Sequence, residues 1–254
     1  MISVLSDMMS YTFIVRAMIV GGLVALCSAL LGVSLVLKRY SMIGDGLSHV
    51  AFAALTIAVA MNVAPLYIST PIVTVAAIIL LRLSENSKIK GDSAIALIST
   101  VSIAIGVVVT ALTKGMNTDV YSYMFGSILA MSESDVYMSI ALSVVVIILF
   151  VFFYNKIFAV TFDESFAKAT GTKADAYNMI IAVLTAITIV VGMRIMGTML
   201  ISSLIIFPAL ISMRNFKTFK SVIICSAIVS VVCFLLGIVL SYLYSIPTGA
   251  SIVL

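Results

Sequence analysis

The chain has 254 residues, of which 63% are hydrophobic and 9% are charged, and its mean hydropathy is +1.30. Soluble domains carry roughly 25% charged residues, so this composition excludes a soluble globular protein and predicts a polytopic membrane protein. The net charge of +4 fits an excess of basic residues on cytoplasmic loops, and no segment resembles a nucleic-acid-binding surface. The three cysteines lie inside apolar runs, which favours packing roles over disulfides or a metal cluster.

Apolar segments long enough to cross a bilayer recur along the chain, separated by polar or proline-containing turns. The N-terminal stretch lacks the basic region of a cleaved signal peptide, so we expect the first span to be retained. Lys38 and Arg39 end that span, and Tyr40–Gly44 is the predicted turn into the second. The predicted spans of this half are Tyr11–Leu37, Asp45–Asn62, Leu66–Leu83 and Asp92–Thr113, with the polar loop Ser84–Gly91 between the last two.

The second half begins with a long connection, Lys114–Asp135, whose semi-apolar middle predicts an interfacial or re-entrant segment. Ser132 and Asp135 have the spacing of a helix N-cap, and Phe158–Ala174 interrupts the hydrophobic pattern. The remaining predicted spans are Asp135–Tyr154, Ala176–Met193, Met196–Met213 with its Pro208, and Phe219–Tyr244, followed by SIPTGASIVL. The sequence therefore predicts an all-α membrane protein with one domain, residues 1–254, and about eight transmembrane helices, one of them re-entrant or a half-helix.

The basic residues predict the orientation of the spans. With the first turn in the cytoplasm, 11 of the 14 basic residues lie inside and 3 outside, and the inverted topology reverses this ratio. Both termini are then extracytoplasmic. The inside residues are Lys38, Arg39, Arg82, Lys88, Lys90, Lys156, Lys168, Lys173, Arg214, Lys217 and Lys220, and the outside ones are Arg16, Lys114 and Arg194.

Asp45 and His49, the only histidine, are the candidate metal ligands. Their spacing of four residues places both side chains on one face of a helix. A carboxylate oxygen and an imidazole nitrogen arranged in this way can share a divalent cation such as zinc or manganese. Ionisable groups at the edge of a hydrophobic span are energetically costly, which also favours a function. The alternative is that Asp45 caps the following helix and His49 binds a neighbouring carbonyl.

A second candidate site is the short segment Thr161–Gly171. Thr161 and Glu164 have the spacing of a capping box, and Gly171 stands where a C-cap glycine is expected. The pattern predicts a helix of about nine residues with Phe162, Phe166 and Ala169 on one side, too short and polar to cross a membrane. Such a helix either rests on the lipid surface or docks into a groove of a partner subunit.

Four stretches of the sequence resemble the permease subunits of ATP-binding-cassette importers for zinc, manganese and iron. They are KRYSMIGDGLSHVAFAAL, TDVYSYMFGSILAMS, FDESFAKATGTKADAYN and MRIMGTMLISSLIIFPAL, and the ending PTGASIVL is also similar. The resemblance is collinear over nearly the whole chain and implies the fold of a type II importer. Many relatives continue beyond the SIVL-like tail, and several carry more histidines, so further His-based sites in them have no counterpart here.

The resemblance implies that Asp45 and His49 contact the transported metal and that Phe162–Gly171 engages the ATPase. Within that coupling helix, the resemblance implies that the residues coupling the chain to the ATPase are Phe162, Asp163, Glu164, Phe166, Ala169 and Gly171. It further implies a prokaryotic plasma membrane, a homodimer of the permease, two copies of an ATP-binding subunit and an extracytoplasmic metal-binding protein. We expect zinc or manganese, with zinc favoured, to bind transiently as cargo, and no covalent cofactor.

The sequence contains no G-x-x-x-x-G-K-[ST] loop, so ATP would be hydrolysed by a separate subunit and this chain is not expected to be an enzyme. Two other classes remain open. A secondary transporter would use Asp45 or His49 to relay protons and would give the short helix no task. A membrane scaffold would leave the Asp/His pair unexplained. Within the importer class, a permease for chelated iron or a cobalamin-like compound is a further alternative.

Overall fold

The computed structural model of the protein describes residues 10–86, 91–113 and 133–254. Every regular element in these ranges is an α-helix. The helices are α1 (Thr12–Leu37), α2 (Ser41–Ala60), α3 (Pro65–Asn86), α4 (Gly91–Leu112), α5 (Glu133–Phe152), α6 (Tyr154–Phe162), α7 (Glu164–Ala169), α8 (Ala174–Met196), α9 (Thr198–Asn215), α10 (Phe219–Tyr244) and α11 (Thr248–Val253).

Seven of the described helices, α1 to α5, α8 and α10, are long and apolar enough to cross a membrane. A shorter apolar helix over Leu200–Asn215, within α9, completes the set. The prediction of an all-α membrane protein with about eight spans, one of them short, is confirmed. The middle of the predicted re-entrant segment, residues 114–132, and the loop residues 87–90 lie outside the described residues.

The second span begins earlier than predicted. α2 starts at Ser41 rather than Asp45, because the region around Gly44, predicted as a turn, is helical. Gly44 is buried in this first turn. A Cβ on this glycine would lie 3.7 Å from Ile205 Cδ1 of α9, an ordinary van der Waals distance. The first turn of α2 therefore packs against α9, and it is helical although glycine has a low helix propensity.

The centre of the bundle is formed by α1, α2 and α8. In the most apolar window of these helices, 72%, 72% and 78% of the residues are buried inside the protein, against 17% for α4. In a bilayer the exposed apolar surface of α4 is compatible with lipid tails or with a second protein surface. The central helices are therefore the ones whose side chains are fixed by neighbours within the chain.

Small residues bring the central helices into close contact. A Cβ added to Gly32 of α1 would lie 2.0 Å from the carbonyl oxygen of Ile205 in α9, so these two backbones touch directly. On another face of α1, the Ser230 hydroxyl of α10 donates to the Ala25 carbonyl at 2.8 Å. Close approach at small residues and hydrogen bonds between helices are the usual means of packing helices in membranes.

The C-terminal helices fold back on the bundle. The single residue Gly197 separates α8 from α9, and Pro208 lies inside α9. After α10 the chain reverses, and α11 lies against α10 at the contact between Gly237 and Ile252. The ending PTGASIVL therefore forms a short helix that packs on α10 and α9.

Ion pairs mark the two ends of the bundle. At the end where α1 finishes, Lys38 Nζ contacts Glu164 Oε2 at 3.1 Å, and we call this the Lys38 end. At the opposite end, Arg16 Nη2 contacts Glu133 Oε1 at 2.6 Å, and we call it the Arg16 end. Residues that an alternating topology places on the same side thus meet in space.

Candidate functional site

The candidate metal ligands lie in the second and third turns of α2. The helix begins at Ser41 after an N-cap at Tyr40, and that cap makes no side-chain hydrogen bond. Asp45 is four residues inside the helix, so its carboxylate is not a helix cap. The alternative interpretation of Asp45 as a cap is therefore wrong. The contact recorded for the His49 imidazole within the described ranges is the one with Asp45.

Asp45 and His49 face each other across one helical turn. The distance from His49 Nε2 to Asp45 Oδ2 is 3.7 Å, and the side chains are 17% exposed for the histidine and 40% for the aspartate. Met42 lies on the same face and is half exposed, whereas Leu47 and Ser48 on the other faces are buried. The predicted spacing on one face is confirmed, and both groups are accessible from the same side of α2.

Neighbouring helices hold the rest of the α2 surface. A Cβ on Gly46 would lie 2.8 Å from Ile95 Cγ2 of α4, and one on Gly44 would lie 3.9 Å from Ser202 Cα of α9. The Ser48 hydroxyl donates to the Asp45 carbonyl at 2.7 Å within α2 itself. α4 and α9, together with α3 and α8, therefore cover most of α2, and the Asp45 and His49 face is its more exposed side.

This pair supplies one oxygen and one nitrogen ligand to a cation. In residues 10–86, 91–113 and 133–254, no group of three or more His, Cys, Asp or Glu side chains is placed to hold a metal ion. Zinc sites that retain their metal usually have three or four protein ligands. An ion bound here by Asp45 and His49 would need water or groups outside this set to complete its coordination.

The short helix of the second candidate site is α7, residues Glu164–Ala169, which lies inside the predicted range. Its N-cap is Asp163, whose Oδ1 accepts from the Phe166 amide at 2.9 Å. The predicted cap at Thr161 is wrong, because Thr161 belongs to α6, which continues to Phe162. The extended backbone at Asp163 (φ −146°, ψ 96°) separates the two helices.

The C-terminal cap of α7 is as predicted. Gly171 has φ 80°, a backbone conformation that residues with a side chain rarely adopt. The Gly171 amide donates to the Lys168 carbonyl at 3.0 Å, and the Thr172 amide donates to the Ala167 carbonyl at 2.9 Å. These two bonds form a Schellman motif, which ends α7 and turns the chain into α8.

The aromatic residues of this region are divided between two helices, so the prediction of one nine-residue helix is wrong. Phe162 ends α6, and its ring lies against Phe219 at 6.1 Å between centroids. On α7 itself, Ala167 is buried against Val160 and Ala174, while Phe166 is 66% exposed. Ala169 is also exposed. α7 is therefore anchored through one small apolar face and presents a phenylalanine outward.

Glu164, predicted as half of a capping box, makes different contacts. Its Oε2 accepts from Lys38 Nζ at 3.1 Å and from Asn178 Nδ2 at 3.1 Å, and Lys38 also donates to Asn178 Oδ1. Its Oε1 lies 3.1 Å from Lys168 Nζ, which in turn contacts Asp175 at 2.9 Å. Partial burial raises the pKa of Glu164, but the hydrogen bonds from Asn178, Lys168 and Lys38 outweigh it and lower the pKa to about 2.

Sequence reasoning missed this cluster of Lys38, Glu164 and Asn178. In the sequence, Lys38 is recognisable only as a basic residue at the end of a span. Its side chain is 7% exposed, and its partners lie 126 and 140 residues away. No local pattern could have found those partners.

Asp135 has a partner that the sequence did not predict. Ser132, its proposed capping partner, lies outside the described residues. Asp135 is in the first turn of α5 and its Oδ2 contacts Arg194 Nη2 of α8 at 2.8 Å, with both side chains almost fully buried. This pair lies at the Arg16 end and joins two helices that cross the bundle.

A family model for the ABC 3 transport family matches residues 10–254. The chain belongs to the ABC 3 transport family. This ABC 3 chain is 26% identical over 249 residues to the manganese transport system membrane protein MntC of Halalkalibacterium halodurans, covering 98% of the chain and 85% of the relative. It is 29% identical over 240 residues to the high-affinity zinc uptake system membrane protein ZnuB of Haemophilus influenzae, covering 94% and 91%.

The fold of the ABC 3 chain also matches a solved structure. PsaBC from Streptococcus pneumoniae, determined in complex with Fab, aligns with a TM-score of 0.89 and 27% sequence identity. The alignment covers 100% of this chain and 91% of that one. The protein is thus a multi-pass permease of the ABC transporter class, as the resemblance of its motifs predicted, and its relatives are named for manganese and for zinc.

Proposed function

We propose that this chain forms the translocation pathway of an ATP-driven importer for a divalent transition metal, zinc or manganese. The observation that carries the proposal is the pair Asp45 and His49, 3.7 Å apart on the more exposed face of a central helix. Membership of the ABC 3 family supports a transport role. One carboxylate and one imidazole suit both zinc and manganese, and relatives named for each metal match the chain.

In this proposal the two ligands serve as a transient binding point. Two protein ligands hold a cation more weakly than the three or four of a permanent zinc site, so the ion can leave as well as enter. Water, or the second copy of the chain in a homodimer, completes the coordination. An extracytoplasmic metal-binding protein delivers the ion to the Arg16 end of the bundle.

The energy comes from two copies of a separate ATP-binding subunit at the Lys38 end, which is cytoplasmic in this proposal because the basic residues cluster there. Both termini are then extracytoplasmic, in a prokaryotic plasma membrane. The segment Phe162–Gly171 contacts the ATPase. The exposed Phe166 ring on α7 supports this role, because an aromatic side chain seated in a groove commonly dominates the affinity of an interface.

The test of the metal site is reconstitution of the permease with its ATPase in liposomes. His49→Ala and Asp45→Ala should each abolish metal-stimulated ATP hydrolysis and metal uptake while assembly is retained. Val63→Ala is the control, because Val63 is 40% exposed just beyond the end of α2 and its side chain has no atom that binds a metal. Wild-type uptake in both alanine variants would refute the site. Uptake that persists without the ATPase would favour a secondary transporter instead.

The docking role is tested with Phe166→Ala. We expect this variant to lose about 2 kcal/mol or more of the free energy of ATPase binding. The dissociation constant would then be roughly 30-fold larger. Phe216→Ala is the control, since Phe216 is 44% exposed at the same end of the bundle and lies between α9 and α10 rather than on α7. Equal ATPase pull-down with the two variants would mean that α7 rests on the lipid surface and that docking occurs elsewhere, with the loop Ser84–Gly91 as the next candidate.

A further inference from the structure

Three helices meet in the cluster formed by Lys38, Glu164 and Asn178 at the Lys38 end. Each member bonds both of the others: the ammonium donates to the carboxylate and to the amide oxygen, and the amide nitrogen donates to the same carboxylate oxygen. Lys38 follows α1, Glu164 opens α7 and Asn178 lies in the first turns of α8. The cluster therefore connects the candidate docking helix directly to the end of α1.

The end of α1 is joined to α2 by a tight turn. The Arg39 amide donates to the Val36 carbonyl and the Tyr40 amide to the Leu35 carbonyl, at 3.1 and 2.8 Å. Arg39 itself has φ 61°, a left-handed conformation that costs a non-glycine residue free energy. These bonds hold the turn against the end of α1, and only Arg39 and Tyr40 separate Lys38 from Ser41, the first residue of α2.

A cleft lies beside this turn. It has a volume of about 580 Å³ and is lined by Tyr40, Leu81 and Arg82 on one side and by Glu164, Lys168 and Asp175 on the other. As far as the described residues show, this cleft separates part of α7 from α3. If α7 is displaced here, the contact between Glu164 and the Lys38 ammonium links that displacement directly to the turn before α2.

The opposite charges of Lys38 and Glu164 stabilise the contact between α7 and the end of α1. The Lys38 side chain is 7% exposed and the Glu164 side chain is 35% exposed, so separating them leaves a buried cation without its carboxylate. Breaking a buried pair by removing one partner is strongly destabilising. The cluster therefore resists opening while α7 and α8 remain in place.

We propose that Lys38 is a positioning residue that transmits the movement of α7 to the helix carrying Asp45 and His49. The ATPase displaces α7, Glu164 and Asn178 carry Lys38 with it, and the α1–α2 turn shifts the first turns of α2. Asp45 lies only seven residues beyond Lys38, so the metal ligands respond to the state of the docking helix. This inference rests on the proposed function.

The experiment measures metal uptake per ATP hydrolysed in liposomes containing the permease assembled with its ATPase. We expect Lys38→Met to retain the ATPase in pull-down and to lower uptake per ATP by about tenfold or more, the factor expected for one lost hydrogen bond to a charged group. Lys38→Arg, which keeps the charge and donors, should restore most of the ratio. Lys220→Met is the matched control, because Lys220 is exposed at the same end and lies outside the cluster.

Glu164→Gln provides a second test that does not depend on the folding of the lysine variants. It should also lower uptake per ATP, and combining it with Lys38→Met should add little, because both changes disable the same connection. Additive losses, or a ratio within about twofold of wild type in either single variant, would overturn the inference while leaving the proposed function intact. If the wild-type complex shows no ATP-driven uptake, the proposed function fails, and this inference fails with it.

Discussion

The contact between Gly32 and Ile205 gives a quantitative test of the packing around α2. A Cβ at position 32 would lie 2.0 Å from the Ile205 carbonyl oxygen, whereas real Cβ contacts essentially never fall below 3.0 Å. Gly32→Ala therefore has to move the α1 and α9 backbones apart by about 1 Å, and a close-packed interior cannot absorb this locally. Ile205 also faces Gly44 of α2, so the movement reaches the helix that carries the candidate metal ligands.

The expected cost follows from two opposing effects. Overpacking of a well-packed interior typically costs about 1–3 kcal/mol, whereas replacing Gly by Ala inside a helix gains about 1 kcal/mol. Gly22→Ala is the matched control in the same helix, because a Cβ on Gly22 would meet no atom within 4 Å. The propensity gain is common to both variants, so their difference is the overpacking cost alone.

The assay is thermal unfolding of the two purified variants in detergent, followed by circular dichroism. At about 2–4 °C per kcal/mol for a chain of this size, Gly32→Ala should unfold about 2–12 °C below Gly22→Ala. Metal uptake per assembled complex should also fall in Gly32→Ala and stay at the wild-type level in Gly22→Ala. Equal unfolding temperatures for the two variants would refute the direct backbone contact between α1 and α9.

Three further predictions concern charge and orientation. Asp135→Asn removes the carboxylate from a buried ion pair and should cost about 3–5 kcal/mol, whereas Glu133→Gln, in an exposed pair, should cost about 1 kcal/mol or less; thermal unfolding distinguishes them. In a background without the native cysteines, an impermeant thiol reagent should label Met61→Cys from outside the cell and Lys217→Cys from the cytoplasmic side, and the opposite result would invert the topology. The pKa of Glu164 is lowered from 4.5 to about 2, so its stabilising contribution is complete above pH 4.5 and is lost as the pH falls towards 2. The stability difference between wild type and Glu164→Gln should be constant from pH 7 to 5 and shrink below pH 4.5, and a change near neutral pH would contradict this assignment.

The sequence predicted those features of the fold that are encoded within one helix. The spans follow from apolar runs, and the shared face of Asp45 and His49 follows from a spacing of four residues, which has one geometric meaning on a helix. Gly171 was likewise identified as a C-cap from its position alone. The start of α2 was misplaced because the glycines near Gly44 resemble a turn, and the fit of this first turn against α9 cannot be read locally.

The errors around α7 have a similar cause. Thr161 and Glu164 match the capping-box spacing, but α6 extends through Phe162, so Thr161 is already helical. Asp163 then becomes the cap, since its backbone is extended and its carboxylate reaches the Phe166 amide. A capping pattern thus identifies a helix start only where the preceding chain is not itself helical, and that depends on packing against the rest of the bundle.

The residues proposed to couple α7 to α2 have partners that are far away in the sequence. Lys38 and Glu164 are separated by 126 residues, and each has an ordinary local explanation, a basic residue after a span and an acidic residue in a first helical turn. Their contact arises because α1 and α8 both run through the centre of the bundle and α7 is held against α8 by the turn at Gly171. A candidate metal-binding pair can be found from the sequence of one helix, whereas the contacts proposed to move that pair involve three helices.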